Sequence, residues 1–265
     1  MDTDQTWRAR LAEIAGDVLD ALYPRVCALC GTGIDDGVAC EAHHLPTEPA
    51  GARCRICAAP LPRALEHAER CAACRLDSPG FARLVAIADY RAQTVVRDWL
   101  LALKHGGRAD LAEPLGRALA RRWARCVETG HIERAVLVPV PLHGVRRFER
   151  GYDQARLLAN ALSRASGAPV VRALVRNRAT SVQGSAGAVS RAANVHGAFE
   201  RARWTRGIER SLAAASCVWL VDDVVTSGST VRECARALRR CGAREVAVLA
   251  VARAARLSNE VERDP

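Results

Sequence analysis

The segment 218–230 constrains the fold more than any other part of this chain. It opens with an apolar run, and residues 217–221 are predicted to form a buried strand that ends at Asp222 and Asp223. A short turn of small and hydroxyl-bearing residues follows, and residues 229–241 are predicted to form a helix. A strand, a turn and a helix in this order are typical of α/β proteins, in which ligands bind at the carboxyl ends of parallel strands.

Apolar segments alternate with amphipathic ones through most of the chain after residue 80. Strands are predicted at 84–90, 135–140, 170–175 and 245–252, and helices at 95–103, 111–123 and 153–164. This alternation predicts βαβ units and therefore an α/β fold with a mostly parallel sheet flanked by helices. A further amphipathic helix is predicted at 6–22, before Pro24.

The turn after the two aspartates carries the groups that a phosphate and a sugar would need. Backbone N–H groups in the turn and at the start of the helix can surround a phosphate, and Gly228 allows its close approach. Asp222 and Asp223 can accept hydrogen bonds from vicinal sugar hydroxyls or engage Mg²⁺. The hydroxyl donors to phosphate oxygens would be Thr226, Ser227, Ser229 and Thr230.

The same segment could also be an ordinary strand-to-helix turn. Ser229 or Thr230 would then cap the helix, and Glu233 would complete a capping box. Capping alone explains neither the two adjacent acids after an apolar strand nor the cluster of hydroxyl groups. The phosphate interpretation is therefore favoured.

Most of the 11 cysteines lie in the first third of the chain, in pairs spaced as metal ligands are. Each Cys-x2-Cys or Cys-x2-His pair lets two side chains reach one tetrahedral ion, so two pairs complete a closed structural site. The two predicted zinc sites are formed by Cys27, Cys30, Cys40 and His43, and by Cys54, Cys57, Cys71 and Cys74. Two alternatives stay open, because His44 could replace His43 and the pairs could combine in an interleaved order.

The composition predicts a cytoplasmic protein that does not insert into a membrane. The opening residues mix charges throughout and do not resemble a signal peptide. The chain also has no uninterrupted apolar run of about 18 residues, the length that a membrane span needs. Without an export signal, clustered cysteines favour metal sites over disulfides.

The formal charge of +10 favours anionic partners such as phosphates, nucleotides or nucleic acid. Nearly all of the positive charge is arginine, because Lys104 is the only lysine. Four arginines fall on one side of the helix after the turn, namely Arg232, Arg236, Arg239 and Arg240. This pattern is more typical of the solvated face of an amphipathic helix than of a nucleic-acid surface.

Residues 221–230 resemble the phosphoribosyl pyrophosphate signature of type I phosphoribosyltransferases. Further motifs, in their order, resemble the ComF family, which is related to proteins of bacterial DNA uptake and utilisation. These motifs are VPVPL at 138–142, RFERGYDQA at 147–155, Arg176-x-Arg178-x-Thr180-x2-Gln183 and NVHGAF at 194–199. The double zinc ribbon also resembles this family, which often has Asn in place of Asp153 and a cysteine in place of His43.

The resemblance implies roles for individual residues. Asp222 and Asp223 would be the catalytic residues that hold the ribose hydroxyls, and residues 226–230 would hold the 5′-phosphate of a ligand that carries Mg²⁺. The turn at Pro141 would approach the pyrophosphate, and Arg147 or Arg150 would supply the opposing charge. The other ligand-binding residues, near or on a mobile loop that covers the site, would be Arg176, Arg178 and Gln183.

The predicted organisation is an N-terminal helix at 1–24, a double zinc ribbon at 25–77 and a phosphoribosyltransferase-like domain at 81–257. Two functions follow from the resemblance. The first is transfer of a phosphoribosyl group with release of pyrophosphate. The second is a non-catalytic adaptor that senses phosphoribosyl pyrophosphate and handles single-stranded DNA or DNA-uptake proteins through its zinc module.

Overall fold

A computed structural model shows two compact units that divide after Leu45. The structure describes residues 24–254 except 128–131, 133, 143, 145–147, 149, 178–196 and 203–205. The helix predicted at 6–22 lies outside the described residues. The domain limits predicted at residues 24–25 and 77–81 stay predictions.

The first unit, over its described residues 24–45, surrounds one cysteine cluster. Val26 and Gly33 form an antiparallel bridge on either side of the first Cys-x2-Cys pair. Between them the Gly31 N–H donates to the Cys27 carbonyl at 2.8 Å, and Gly31 takes a left-handed φ of +76°. A 3₁₀ helix over Glu41–His43 follows. The unit therefore has little regular structure of its own, as is typical of small metal-binding modules.

The second unit is built on a parallel sheet. Its strands are β1 (Leu84–Asp89), β2 (Ala135–Pro139), β3 (Leu174–Arg176), β4 (Phe199–Arg201), β5 (Cys217–Val225) and β6 (Val246–Arg253). Four of them form the main sheet in the order β1–β6–β5–β2, and all neighbouring pairs are parallel. Strands β1, β2 and β6 are buried along their whole length, as expected when both faces of a parallel sheet are covered.

Helices follow or precede each strand of the main sheet. They are α1 (Ala72–Leu76), α2 (Thr94–His105), α3 (Ala112–Cys126), α4 (Gln154–Ser166), α5 (Arg206–Ala214) and α6 (Ser229–Arg240). The predicted α/β class is confirmed, and each predicted helix after residue 80 is present with its ends shifted by less than one turn. Helix α5 was not predicted. Among the described helices, none combines the length and the apolar character that crossing a membrane requires.

The two faces of the sheet have different covers. On one face, Leu220 of β5 belongs to a core that includes Leu238 of α6 and the second cysteine cluster. On the other face, Trp219 meets Trp123 of α3 edge to face, with ring centroids 5.3 Å apart. The side chains of adjacent β5 residues therefore lie on opposite faces of the sheet, as the two-residue period of a strand requires.

The strand predicted at 170–175 is divided in the structure, so that prediction is wrong. Only Val170 pairs with the main sheet, through an isolated parallel bridge to Leu137. The chain then leaves the sheet, and β3 pairs antiparallel with β4. Leu174 and Phe199 are both buried in the core that α6 covers, which gives the small hairpin its own hydrophobic anchor.

Candidate ligand site and metal centres

The first cysteine cluster brings three thiols and one imidazole together. The Sγ atoms of Cys27, Cys30 and Cys40 and a ring nitrogen of His43 lie within 4.8 Å of one another. His43 presents Nδ1, which is 3.3 Å from the Sγ of Cys40 and 3.7 Å from that of Cys27. The first ligand pair of the sequence therefore combines with the second, and not in the interleaved order. The histidine in this cluster is His43, not His44.

The second cluster is formed by Cys54, Cys57, Cys71 and Cys74. Its four Sγ atoms also lie within 4.8 Å of one another. A Zn–S bond of about 2.3 Å places two thiolates of a tetrahedron about 3.8 Å apart. The measured Sγ–Sγ distances are 3.7 Å for Cys57 and Cys71 and 3.8 Å for Cys30 and Cys40. The donor sets and spacings fit Zn²⁺, so the two clusters could form zinc ribbons.

The turn between β5 and α6 leaves open space where a phosphate could approach. Gly228 has a left-handed φ of +80°, and a Cβ placed there would meet no described atom within 4 Å. A small cavity of about 30 Å³ opens at the turn beside Asp222. The hydroxyl-bearing residues that line it are Thr226, Ser227, Ser229 and Thr230. The N-terminal end of α6 adds N–H donors and a positive dipole end to this cavity.

The predicted cap of α6 by Ser229 or Thr230 is not formed. Gly228 occupies the N-cap position of α6, so neither Ser229 nor Thr230 is the capping residue. Glycine has no side chain that could accept a hydrogen bond from the start of the helix. Glu233 does not complete a capping box either, because it pairs with Arg236 one turn further along the helix. The Ser229 N–H donates a long hydrogen bond to the Ser227 hydroxyl at 3.4 Å, so the described contacts cover only the first N–H of α6.

Strand β5 is longer than predicted and includes both aspartates. It runs to Val225 instead of ending at Val221, because its last residues continue the pairing with β6. The prediction that the acids follow the strand is wrong for this reason. Since successive side chains of a strand point to opposite faces, Asp222 and Asp223 have different surroundings.

Asp223 is paired, whereas Asp222 is desolvated. The Oδ2 atom of Asp223 lies 3.1 Å from Nζ of Lys104, and the two side chains are 14% and 20% exposed. On the α6 side, Asp222 lines the small cavity together with the first residues of that helix. Loss of hydration and the neighbouring charge of Asp223 raise the pKa of Asp222 to about 8. The raised pKa favours the protonated form of Asp222 in the ligand-free protein, whereas the ammonium group of Lys104 lies beside Asp223.

A larger cavity of about 210 Å³ opens at the carboxyl end of β2, and Pro141 and Asp153 line it. Asp153 also caps α4, because its carboxylate accepts a hydrogen bond from the Arg156 N–H at 3.1 Å. The basic residues that line this cavity are Arg156, Arg172 and Arg176. The charge of Asp153 contributes to the raised pKa of Asp222, so the cavity and the acid pair are neighbours. Guanidinium groups in this position suit a diphosphate.

The predicted ligand-binding residues fall into three groups. Asp222, Asp223 and residues 226–230 lie together at the turn, and Pro141 and Arg176 line the neighbouring cavity. Arg150 is half-buried and is not among the described residues that line that cavity. The predicted residues that lie outside the described part of the chain are Arg147, Arg178 and Gln183.

Three basic residues near the site were missed by sequence reasoning, namely Lys104, Arg156 and Arg172. Arg156 follows Asp153 by three residues, a spacing that places both at the start of one helix, and this signal was available. Lys104 carried a weaker signal, since it is the only lysine among 39 basic residues. No pattern in the sequence distinguishes Arg172.

One buried arginine joins the second cysteine cluster to the turn between β5 and α6. Arg253, the last residue of β6, is 8% exposed. Its Nε donates to the Cys57 carbonyl at 3.0 Å, and its Nη1 donates to the Val225 carbonyl at 2.9 Å and to the Thr226 carbonyl. A knuckle of the cluster and the turn that precedes α6 are therefore held by the same guanidinium group.

Helix α6 exposes only arginines, as the sequence pattern suggested. The exposed residues are Arg232, Arg236, Arg239 and Arg240. Part of this face is used within the protein, because Arg239 donates to the Gly80 carbonyl at 2.6 Å and Arg236 pairs with Glu233. The exposure of all four arginines fits the solvated-face interpretation.

Comparison with known proteins identifies the family of this chain. Residues 111–264 match the family described as "Phosphoribosyl transferase domain". Competence protein F of Haemophilus influenzae is 31% identical over 191 residues, which cover 71% of this chain and 80% of the relative. DNA utilization protein YhgH of Escherichia coli K12 is 34% identical over 191 residues, which cover 69% of this chain and 77% of the relative.

Two solved structures are also similar to parts of the chain. One is described as the allosteric regulatory enzyme of purine biosynthesis, with 22% identity, a TM-score of 0.35 and coverage of 54% of this chain and 26% of that one. The other, glutamine phosphoribosylpyrophosphate amidotransferase from B. subtilis complexed with ADP and GMP, has 22% identity, a TM-score of 0.34 and coverage of 53% and 26%. From the family match and the two bacterial relatives, the chain belongs to the phosphoribosyl transferase domain family and, within it, to the ComF family of competence and DNA-utilisation proteins.

Proposed function

We propose that the protein binds phosphoribosyl pyrophosphate with Mg²⁺ at the carboxyl edge of its sheet and transfers the phosphoribosyl group to an acceptor. The observation that carries this proposal is the juxtaposition of three features at neighbouring strand ends. They are the open turn at Gly228, the acid pair Asp222–Asp223, and the cavity lined by arginines. Each feature suits one part of the ligand.

The 5′-phosphate would lie in the turn 226–230, where N–H groups, hydroxyls and the helix dipole favour an anion. The ribose hydroxyls would hydrogen-bond to the carboxyl oxygens of Asp222 and Asp223. The diphosphate would lie beside Arg156, Arg172 and Arg176, and Mg²⁺ bound to it would share in neutralising its charge.

In the proposed reaction the bond between C1 of the ribose and the diphosphate oxygen breaks, and its electron pair leaves with pyrophosphate. The acceptor supplies the electron pair for the new bond at C1. Positive charge develops on the ribosyl group, where the acid pair would stabilise it, while the arginines would stabilise the leaving group. The chain thus contributes mainly preorganised charge.

We propose in addition that each cysteine cluster holds one structural zinc ion. Each would use four protein ligands, which leaves no open coordination position for a substrate. Bound zinc would stabilise the folded modules by joining segments that are distant in sequence. Such thiolate sites persist in a reducing compartment, which supports a cytoplasmic location.

A second candidate function is supported by the names of the relatives, which refer to competence and DNA utilisation. In that case the protein would bind phosphoribosyl pyrophosphate as a signal and would handle single-stranded DNA or a DNA-uptake protein through its zinc module. Binding without turnover distinguishes this function from transfer.

The test combines calorimetry with a turnover assay on the zinc-loaded full chain. Mg²⁺-phosphoribosyl pyrophosphate should bind, and an equimolar mixture of ribose 5-phosphate and pyrophosphate should bind more weakly because the parts are not joined. Release of labelled pyrophosphate with candidate bases or single-stranded DNA would establish transfer. Binding with no release would favour the adaptor, and no binding would refute both.

A further inference from the structure

The side chain of Lys104 reaches the acid pair from the end of α2. Its Nζ atom lies 3.1 Å from Oδ2 of Asp223, and both side chains are largely shielded from solvent. The other carboxylate oxygen of Asp223 accepts a hydrogen bond from the Val224 N–H at 2.5 Å. Both oxygens therefore have partners, and these fix the orientation of the carboxylate.

We propose that Lys104 is a positioning residue of the phosphoribosyl site, which holds Asp223 as an oriented carboxylate for the ribose hydroxyls. This inference rests on the proposed binding of phosphoribosyl pyrophosphate. Each oxygen of a carboxylate has further acceptor capacity, so Asp223 can keep Lys104 as a partner while it accepts a ribose hydroxyl.

The backbone next to Lys104 is held in place by burial and by a hydrogen bond. The preceding residue, Leu103, is fully buried, and its carbonyl accepts a hydrogen bond from the Tyr152 hydroxyl at 2.6 Å. Tyr152 directly precedes Asp153, which lines the arginine-rich cavity. The end of α2 thus contacts the segment that leads into the diphosphate side of the site and, through Lys104, the ribose side. A residue placed in this way can hold both sides in register.

The charge of Lys104 also reduces the electrostatic repulsion within the acid pair. Two neighbouring carboxylates repel each other, and Asp222 is desolvated as well. A cation beside Asp223 offsets this repulsion, and the ammonium group of lysine is compact enough to reach one oxygen while the site stays open. Without it, Asp223 would be a shielded charge with no cationic partner, which is costly and favours a different rotamer.

The experiment is a double-mutant cycle measured by calorimetry with Mg²⁺-phosphoribosyl pyrophosphate. The proteins are the wild type, Lys104→Met, Asp223→Asn and the double variant. Met keeps the length of the side chain and removes its charge. We expect Lys104→Met to weaken binding by about tenfold or more, the usual effect of losing a charge-assisted hydrogen bond. In the Asp223→Asn background the same change should have almost no further effect, because Lys104 acts through Asp223.

Two further variants separate positioning from folding. Lys104→Arg should recover part of the lost affinity, which a purely structural loss would not allow. Arg108→Met removes another basic residue close to the same helix end, whose ion pair with Asp110 is 2.7 Å long and exposed. This control should bind as the wild type does. Thermal unfolding of each protein checks its fold, and Lys104→Gln replaces Met if the Met variant is unstable.

Each outcome decides between defined alternatives. Additive losses in the cycle would mean that Lys104 contacts the ligand directly and would overturn the positioning role. Unchanged affinity in Lys104→Met, with normal binding by the wild type, would overturn that role and leave the proposed function intact. No binding by the wild type would instead refute the proposed function and, with it, the role of Lys104.

Discussion

Replacing Asp222 by Asn should stabilise the ligand-free protein at neutral pH and weaken its binding of phosphoribosyl pyrophosphate. Burial and the charge of Asp223 raise the pKa of Asp222 to about 8 from the ordinary value of 3.8. The folded protein therefore keeps this proton up to about pH 8, whereas the unfolded chain loses it near pH 4. Between these values the folded state binds more protons, so stability falls as pH rises.

The size of the effect follows from the same pKa difference. Slightly more than three pH units separate 3.8 from pH 7, and each unit corresponds to about 1.4 kcal/mol. Asp222 would thus lower the free energy of unfolding at pH 7 by at most about 4 kcal/mol relative to acid conditions. Asn has no proton to lose, and its side-chain oxygen can keep the hydrogen bond from the Asp223 N–H at 2.9 Å. We therefore expect a gain of roughly 2–4 kcal/mol at pH 7.

The assay is denaturant unfolding of the zinc-loaded wild type and variant near pH 5, 7 and 8. Taking the difference in the free energy of unfolding between the two proteins removes the contributions of other titrating groups. This difference should grow with pH until about pH 8. Asp98→Asn, at an exposed position of α2, is the matched control and should show no such trend. A variant less stable than the wild type at pH 8, or a difference independent of pH, would refute the reasoning.

Three more predictions concern the metal centres and the turn. Metal analysis of the purified protein should find two zinc ions per chain, and fewer than one would refute the zinc assignment. Gly228→Val should weaken binding of phosphoribosyl pyrophosphate by at least about tenfold. Gly242→Val, at a second open position with a φ of +93°, should cost stability but not affinity, so equal affinity losses would contradict the phosphate role. Arg253→Met should weaken both ligand binding and zinc retention at Cys57 under chelation, and normal values for both would show that the shared guanidinium is dispensable.

The regular elements of the main sheet could be predicted from the sequence, because burial on both faces leaves continuous apolar runs. Strands β2 and β6 were predicted to within one residue at each end for this reason. The end of β5 was not predicted correctly, because aspartate is rare inside strands and its presence indicates that a strand has ended. Only pairing with Ala252 and Arg253 extends this strand past the acids.

Contacts between distant segments account for what the sequence could not predict. The β3–β4 hairpin depends on a pairing across a long intervening segment, while local propensity alone favoured one strand at 170–175. Lys104 reaches Asp223 only because α2 ends at the carboxyl edge of the sheet. The turn between β5 and α6 could be singled out because all of its groups lie within one short segment. The ion pair between Lys104 and Asp223 could not, because its two residues are distant in sequence.

The hydrogen bonds of Arg253 set a limit on how far this chain can be shortened. A fragment that begins after the linker 78–80 would retain the whole family-matched region, yet its buried guanidinium would lose the Cys57 carbonyl. Phe81 and Leu84 would at the same time lose the cysteine cluster that shares their core. The smallest self-sufficient fragment should therefore begin before Cys54. A gene fusion that borrowed this sheet for another protein would have to bring the second cysteine cluster along.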